Sequence, residues 1–337
     1  MSQSRTIAVT GATGFVGRSL VRELVSRGHR VRALVRDARK AKQVLPVGDR
    51  LELVTGAVHD GVSPASLLKR CDTCIHLIGI IREVRGSKHG EEPQTFERMH
   101  VGATRIILEA CLAAGVERYV QMSSLGADPD GKAAYQRTKY QAEELVRASG
   151  LNWTIFRPSF IHGAGSELVA MIHDMASGQI APWYFMPYFA REVVDQSVPL
   201  GPSHFESARI QPVSIYDVVE CFAECLDRPV AIGEIYNLTG RDTLTWPELY
   251  KFYSRILPGA NPDMPIAGLP GQIAAIGAAV AGKLGMGGLL PFDAGQALMS
   301  IEDSTAELHK VKAHLGHTPR RFRETAEMYA GELARAH

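Results

Sequence analysis

Three glycines near the start of the chain constrain its fold more than any other feature. Gly11, Gly14 and Gly17 follow the β-branched run 6–10 and precede an amphipathic segment that ends at Gly28. A strand, a glycine turn and a helix in this order are typical of the site where a helix N-terminus meets a dinucleotide pyrophosphate. Glycine permits the tight turn, the approach of backbone to phosphate, and close packing of helix on strand. The alternative is a glycine-rich turn in an ordinary α/β protein.

The composition is that of a globular chain with a sizeable core. Of the 337 residues, 45% are hydrophobic and 22% are charged, which favours one large domain and a smaller one. The formal net charge of +1 gives no general attraction to nucleic acid or anionic membrane. Because the first strand begins almost at once, the sequence leaves no room for a signal peptide, and we expect a cytoplasmic protein.

The five cysteines indicate buried thiols. Cys74 lies in an apolar run, where a small side chain suits a buried strand, and Cys221 and Cys225 lie one helical turn apart on an apolar face. The spacing of Cys71 and Cys74 leaves a redox or zinc site as the alternative. We expect structural thiols and no metal site.

Strands and helices alternate through the first half of the chain. The pattern predicts strands at 6–10, 30–36, 51–55, 74–80, 118–124 and 153–158, and helices at 63–70, 96–114 and 132–149. We therefore expect an α/β fold, a Rossmann-type doubly wound parallel sheet that binds its ligand at the carboxyl ends of the strands. The expected domains are a dinucleotide-binding domain over 1–160, completed by a segment near 230–240, and a smaller C-terminal α/β substrate domain over 161–337.

A tyrosine and a lysine stand one helical turn apart after the fifth strand. Tyr135 and Lys139 share a helix face, where a phenol can act as acid or base and an ammonium can lower its pKa and hold ribose hydroxyls. The alternative is a surface pair. Ser123 and Ser124 end the fifth strand, where a hydroxyl can donate to a substrate carbonyl or merely close the strand end.

These features resemble the atypical and extended short-chain dehydrogenase/reductases along nearly the whole chain. The segments that carry the resemblance are TGATGFVG (10–17), IHLIG (75–79), RPSFIHG (157–163) and QPVSIYDVV (211–219), together with the Tyr-Lys pair. FERMHVGATR (96–105) and MSSLGADPDG (122–131) are similar to the bacterial relatives of the NADPH-binding accessory subunit of mitochondrial complex I.

The resemblance implies roles for individual residues. The three glycines would contact the pyrophosphate, and the intervening residues of the turn would line it: Thr13, Phe15 and Val16. Ile78 and Gly79 would line the cofactor beyond the fourth strand, Lys139 would bind the nicotinamide ribose, and Pro158 and Ser159 would approach the carboxamide. Tyr135 would be the acid or base, and Ser124 aligns best with the catalytic hydroxyl, although Ser123 is the position that the most similar group retains.

The residue after the second strand favours NADP(H) over NAD(H). NAD-preferring members place an acid there, whereas this chain has Val35 and then Arg36, with Arg32, Arg39 and Lys40 nearby. A guanidinium suits a 2′-phosphate, and the alternative is a solvated strand end. After the third strand the family has an acid that reads the adenine amine, whereas this chain has Ala57; the backbone of Val58 remains available to adenine.

Two functions remain open. The first is an oxidoreductase or epimerase-like enzyme that moves hydride between NADP(H) and an apolar, carbonyl or quinone-type small molecule. The alternative is a non-catalytic NADPH-binding accessory or regulatory protein that docks on a respiratory or membrane complex. The apolar run 271–282 is too short to span a bilayer and predicts a buried helix, with peripheral membrane contact as the alternative. We expect no nucleic-acid partner, and the sequence is silent on oligomeric state.

Overall fold

Strands and helices alternate over the described residues of the computed structural model, which are 4–84, 92–194, 203–283 and 292–333. The strands are β1 Thr6–Thr10, β2 Arg30–Val35, β3 Leu51–Thr55, β4 Thr73–His76, β5 Arg118–Met122, β6 Asn152–Pro158, β7 Ile161–His162, β8 Met186–Val194, β9 Ser203–Ser207, β10 Arg209–Ile210, β11 Val213–Ser214, β12 Glu234–Leu238, β13 Leu244–Thr245 and β14 Ile266–Pro270. The helices are α1 Phe15–Ser26, α2 Ala38–Val44, α3 Ser63–Leu68, α4 Ala103–Ala114, α5 Ala134–Arg147, α6 Glu167–Ala176, α7 Ile215–Glu224, α8 Trp246–Ile256, α9 Gly271–Lys283, α10 Ala294–Ser300, α11 His309–Leu315 and α12 Phe322–Leu333. A π-helical segment, Glu97–Gly102, leads directly into α4.

A seven-stranded sheet in the order β12-β6-β5-β4-β1-β2-β3 organises the first unit, and every neighbouring pair in it is parallel. The reversal of strand order beside β1 brings the ends of β1 and β4 together, where a doubly wound sheet binds its ligand. The core between α3, α4 and the sheet includes Leu67, Ile107, Cys111, Tyr119 and Ile155. The predicted Rossmann-type parallel fold is confirmed.

The fourth strand is shorter than the sequence predicts. β4 ends at His76, and residues 77–80 leave the sheet after the amide of Leu77 donates to the carbonyl of Thr10. The backbone of Leu77 and Ile78 then lies against Gly11, where a Cβ would come within 3.1 Å of the Leu77 carbonyl carbon. The apolar run thus continues as a lining of the glycine turn instead of as a strand.

The chain divides into two units, and each unit is built from three separate segments of the sequence. The first unit contains the residues up to Pro158 together with Ile215–Leu238 and Glu307–Thr318. The sequence pattern predicted that only a segment near 230–240 would return to complete the dinucleotide-binding domain. β12 pairs with β6, α7 packs on α1, and α11 packs on β12 through a hydrogen bond between Tyr236 and His314 of 3.0 Å. These segments return because the sheet edge and α1 each leave an apolar face to be covered.

The second unit contains Ser159–Ser214, Thr239–Ala306 and the residues from Pro319 onward. Its largest sheet has the order β14-β8-β9, and its apolar core joins α6, α8 and α12 through Ile172, Leu249, Tyr253, Phe322 and Tyr329. The run 271–282 forms most of α9, and its exposure corrects the prediction of a buried helix. Ile273 and Ile276 are 68% and 66% exposed, because only the alanine-rich side of α9 is buried. Over the described part of the chain, no helix is both long and apolar enough to cross a membrane.

Candidate cofactor and catalytic site

The glycine turn forms a close contact between β1 and α1. Gly11 has φ +71°, a conformation that favours glycine, and its carbonyl accepts a 3.1 Å hydrogen bond from the amide of Gly14. A Cβ on Gly17 would lie 2.1 Å from the Gly11 carbonyl oxygen, so only glycine fits there. Gly14 begins α1 without a side-chain cap, and the first turn carries no acid. The turn leaves Thr13 exposed and Phe15 half-buried, while Val16 packs inside. This is a cradle for an anion at a helix N-terminus.

The end of β2 presents an exposed guanidinium. Arg36 is exposed immediately before Asp37, whose carboxylate caps α2 by accepting from the amides of Arg39 and Lys40. Arg32 is held elsewhere, because it donates to the carbonyls of Ser66 and Leu67 and pairs with Glu52. The basic groups near the end of β2 are therefore Arg36, Arg39 and Lys40, without Arg32.

The end of β3 is organised by an acid that the sequence analysis did not assign. Asp60 accepts from the amides of Ala57, Val62 and Ser63 and from the Ser63 hydroxyl, and these bonds lower its pKa. The side chain at 57 is a methyl group, so no acid reads adenine from this position. Val58 is 5% exposed, and its side chain belongs to the core of the first unit.

Lys139 reaches the loop that follows β4. A Cβ on Gly79 would come within 2.8 Å of the Lys139 ammonium nitrogen, and Ile78, the preceding residue, is half-buried. The same nitrogen donates a 3.3 Å hydrogen bond to the carbonyl of Met122 at the end of β5. Burial lowers the pKa of Lys139 to about 8, and Glu143 opposes this shift. The ammonium therefore lies between the ends of β4 and β5.

Tyr135 lies beside Ser124 on the same face of the unit. The Ser124 hydroxyl interacts with the Tyr135 side chain, and the Lys139 ammonium lies 6.0 Å from the centre of the Tyr135 ring. Burial raises the pKa of Tyr135, and the interaction with Ser124 opposes the shift. The spacing of Tyr135 and Lys139 predicted that the ammonium would lower the pKa of the phenol, but burial is the larger influence in the structure. Edge-to-face contacts with Phe96 and His100 fix the ring.

The two serines at the end of β5 have different partners. Ser123 is 4% exposed and its hydroxyl donates a 2.5 Å hydrogen bond to Glu143, whereas Ser124 is half-buried and meets Tyr135. Pro158 ends β6, and its carbonyl accepts from the amide of Leu125. Ser159 begins the second unit, and its hydroxyl donates to the carbonyl of Gln211 at 2.5 Å. The structure thus joins Tyr135, Lys139 and Ser124, and gives Ser123 a buried polar partner.

Comparison with known proteins decides the family. The sequence profile of the NAD(P)H-binding family matches residues 11–178, which contain the glycine turn, Ser124, Tyr135 and Lys139. The chain belongs to this NAD(P)H-binding family. Its relatives include a reductase and a dehydrogenase, as expected of the predicted NAD(P)-dependent oxidoreductase type, and solved epimerase structures share its fold.

Two relatives and one solved structure illustrate the range of this NAD(P)H-binding family. Ceramide reductase of Caulobacter vibrioides is 29% identical over 77% of this chain and 72% of its own length. The NADH dehydrogenase [ubiquinone] 1 alpha subcomplex subunit 9 of Dictyostelium discoideum is 27% identical over 74% of this chain and 63% of its own length. The crystal structure of gox2253 superposes with a TM-score of 0.71 at 27% identity and covers 99% of both chains. The chain spans less than two thirds of the complex I subunit.

The NAD(P)H-binding unit also contains polar residues that the sequence analysis missed. His100 hydrogen-bonds Thr138 and the carbonyl of Ile80, and burial lowers its pKa to about 2. Glu143 is completely buried and accepts two hydrogen bonds from Arg157. The spacing of Glu143, one turn beyond Lys139, was visible in the sequence. No comparable spacing marked His100 or Arg157 in the sequence, because the partners of these two residues lie on other elements.

A second missed group joins α7 to the segment after α11. One carboxylate oxygen each of Asp217 and Glu220 and one ring nitrogen of His317 all lie within 4.8 Å of one another. The His317 ring nitrogens lie 3.3 Å from Asp217 and 3.8 Å from Glu220, so the cluster is a close contact between an imidazole and two carboxylates. This contact explains why the segment after α11 returns to the first unit.

Proposed function

We propose that the protein is an NADP(H)-dependent oxidoreductase that reduces or forms a carbonyl group on an apolar, lipid-like substrate. The interaction of Ser124 with Tyr135, with Lys139 one helical turn along and 6.0 Å from the Tyr135 ring centre, carries this proposal. The residues present fit a dinucleotide, because glycine is needed at two positions of the site. A Cβ on Gly17 would collide with the Gly11 carbonyl, and a Cβ on Gly79 would come within 2.8 Å of the Lys139 ammonium nitrogen. A bound nicotinamide supplies or accepts the hydride at its C4 position.

Three side chains would contact the reacting groups: two at the substrate oxygen and one at the nicotinamide ribose. In the reductive direction the Tyr135 hydroxyl gives its proton to the oxygen of the substrate carbonyl, and Ser124 donates a hydrogen bond to the same oxygen. In the oxidative direction Tyr135 takes the proton back. The Lys139 ammonium holds the ribose hydroxyls next to the end of β5 and adds positive charge beside the phenol. Its bond to the carbonyl of Met122 fixes its position before the cofactor binds.

The proposed substrate class rests on the relatives and on chemistry. Ceramide reductase is a relative over most of both chains, and ceramide is a long-chain amide with little charge. We expect the purified protein to oxidise NADPH when it is given a long-chain lipid ketone of the ceramide type, and more slowly with a short quinone or a sugar nucleotide. Absorbance at the reduced nicotinamide band measures the rate. Equal rates with a short water-soluble ketone would contradict the lipid substrate, and no oxidation with any of them would contradict turnover.

The preference for NADP(H) rests on Arg36. Its exposed guanidinium follows β2 where an acid would otherwise accept from the ribose, and Arg39 and Lys40 add positive charge at the start of α2. Because a charge-assisted hydrogen bond contributes about 1.5–3 kcal/mol, Arg36→Ala should weaken NADPH binding by roughly ten- to a hundredfold and leave NADH binding unchanged. Fluorescence titration measures both dissociation constants.

Lys42→Ala is the matched control for this measurement. Lys42 lies in the last turn of α2, so its loss removes the same charge from the same helix at the other end. We expect its effect on NADPH binding to be less than about twofold, because an exposed charge at that distance is screened by salt. Equal weakening of NADPH and NADH by Arg36→Ala would show that Arg36 contributes only general binding, and the preference would then be wrong.

A second candidate function is an accessory protein that holds NADPH and docks on a respiratory complex. The similarity to the complex I subunit favours it, as does the exposed apolar face of α9, where Ile273, Ile276 and Val280 are each more than half exposed. This candidate predicts a bound nucleotide that neither exchanges nor is oxidised in the substrate assay. Substrate-dependent turnover would exclude a purely structural nucleotide.

A further inference from the structure

A buried ion pair lies one helical turn beyond Lys139. Glu143 has no solvent exposure, and its side-chain oxygens accept hydrogen bonds of 2.8 Å from Nε of Arg157 and 2.5 Å from Nη2 of Arg157. One of those oxygens also accepts the 2.5 Å hydrogen bond from the hydroxyl of Ser123. The pair therefore joins α5 to the ends of β5 and β6, and it does so on the face that carries Tyr135 and Lys139.

We propose that Glu143 and Arg157 are positioning residues that orient Ser124 and Tyr135, and that Glu143 also keeps the neighbouring Lys139 charged in the working enzyme. Glu143 acts through Ser123, whose anchored side chain fixes the backbone that presents Ser124 to Tyr135. This role rests on the proposed hydride-transfer function, since it concerns the same tyrosine, serine and lysine. It also accounts for the buried position of Ser123, which the sequence analysis left as an alternative catalytic hydroxyl.

The charge balance around Lys139 depends on this pair. Within the described ranges, the other titratable groups that face the lysine are His76 from β4, His100 from the π-helical segment and Tyr135 from α5. Burial lowers the pKa of His76 to about 3 and that of His100 to about 2, so both rings are neutral at physiological pH. Tyr135 is protonated there, because burial raises its pKa. Among the residues that the structure describes, Glu143 is thus the group whose negative charge raises the pKa of Lys139.

The sign of each substitution follows from this balance. Glu143→Gln removes the negative charge and leaves Arg157 positive, so the pKa of Lys139 should fall further below its value of about 8. Arg157→Gln leaves Glu143 without its cation, so the pKa of Lys139 should rise. Ser123→Ala removes one hydrogen bond without changing charge and should leave that pKa in place. Because a close opposite charge moves a pKa by about 1–3 units, we expect shifts of about one unit in opposite directions.

The test measures the pKa of Lys139 in the full chain, and separately the pH dependence of turnover. Carbon-13 NMR of lysine-labelled protein, with the Lys139 signal assigned by Lys139→Met, gives the pKa directly. The alkaline limb of the NADPH-oxidation rate should shift to lower pH in Glu143→Gln and to higher pH in Arg157→Gln, with Ser123→Ala unshifted but slower. If Glu143→Gln does not fold, Arg157→Gln and Arg157→Lys, which keeps the charge, provide the same comparison.

The outcomes separate this proposal from the proposed function. Opposite shifts of the lysine signal in a protein that oxidises no substrate would support the charge pair and contradict hydride transfer. Normal turnover with an unshifted lysine signal in both charge variants would overturn the proposed charge role and leave hydride transfer intact. Loss of rate in all variants without any shift would show that the pair is merely structural.

Discussion

Replacing Tyr135 with phenylalanine is expected to lower the rate of NADPH oxidation by about 10²–10⁴-fold, the contribution typical of a positioned acid or base. The phenylalanine ring keeps the edge-to-face contacts with Phe96 and His100, so the shape of the site is retained. The variant loses the proton and the polar interaction with Ser124, and the loss of one such interaction costs about 1 kcal/mol of unfolding free energy. NADPH binding should remain within about threefold, because the pyrophosphate cradle and Lys139 are unchanged.

Tyr140→Phe is the matched control for this measurement. Tyr140 lies on the same helix, half-buried, and its ring contacts Arg147 at 5.1 Å instead of Ser124. We expect it to oxidise NADPH at the rate of the unaltered protein. Steady-state rates with a lipid ketone, together with NADPH titration, distinguish loss of proton transfer from loss of binding. Full turnover by Tyr135→Phe would show that another group handles the proton.

Gly17→Ala is expected to have the largest effect on stability and cofactor binding. The added Cβ would lie 2.1 Å from the Gly11 carbonyl oxygen and 2.8 Å from the backbone of Ala12, and neither backbone group can rotate away as a side chain could. The start of α1 must move off β1, at a cost of roughly 1–3 kcal/mol or more in unfolding free energy. Since the amides of the first turn move with it, NADPH affinity should fall at least about tenfold.

Gly277→Ala is the control for the glycine substitution. Gly277 lies within α9, and a Cβ there meets nothing within 4 Å, so the same change in side chain adds no contact. Alanine is favoured over glycine within a helix by about 0.8–1 kcal/mol, and this variant should be slightly more stable. Urea unfolding and NADPH titration measure both variants. If Gly17→Ala bound NADPH normally at full stability, the close packing of β1 on α1 would not be a requirement of the cofactor site.

The sequence predicted the first unit well because its signals are local. The alternation of apolar strands and amphipathic helices predicted the parallel sheet, and the glycine spacing predicted the turn between β1 and α1. The prediction of α9 as a buried helix was wrong, since an apolar run does not say what covers it, and Ile273 and Ile276 are exposed. The roles of Tyr135, Lys139, Ser124 and Arg36 stay predictions that the variants above test.

The sequence by itself determined which chemical groups share a turn or a helix face. Tyr135, Lys139 and Glu143 follow one another at intervals of four residues, and helix geometry alone puts them on one side. Only the tertiary structure decided which of two adjacent serines meets the tyrosine, because Ser123 is held by Glu143, and Glu143 is held in turn by Arg157 from β6. It likewise drew Arg32 away from the end of β2 and left Arg36 exposed there. Such choices depend on partners distant in the chain, and neither spacing nor composition records them.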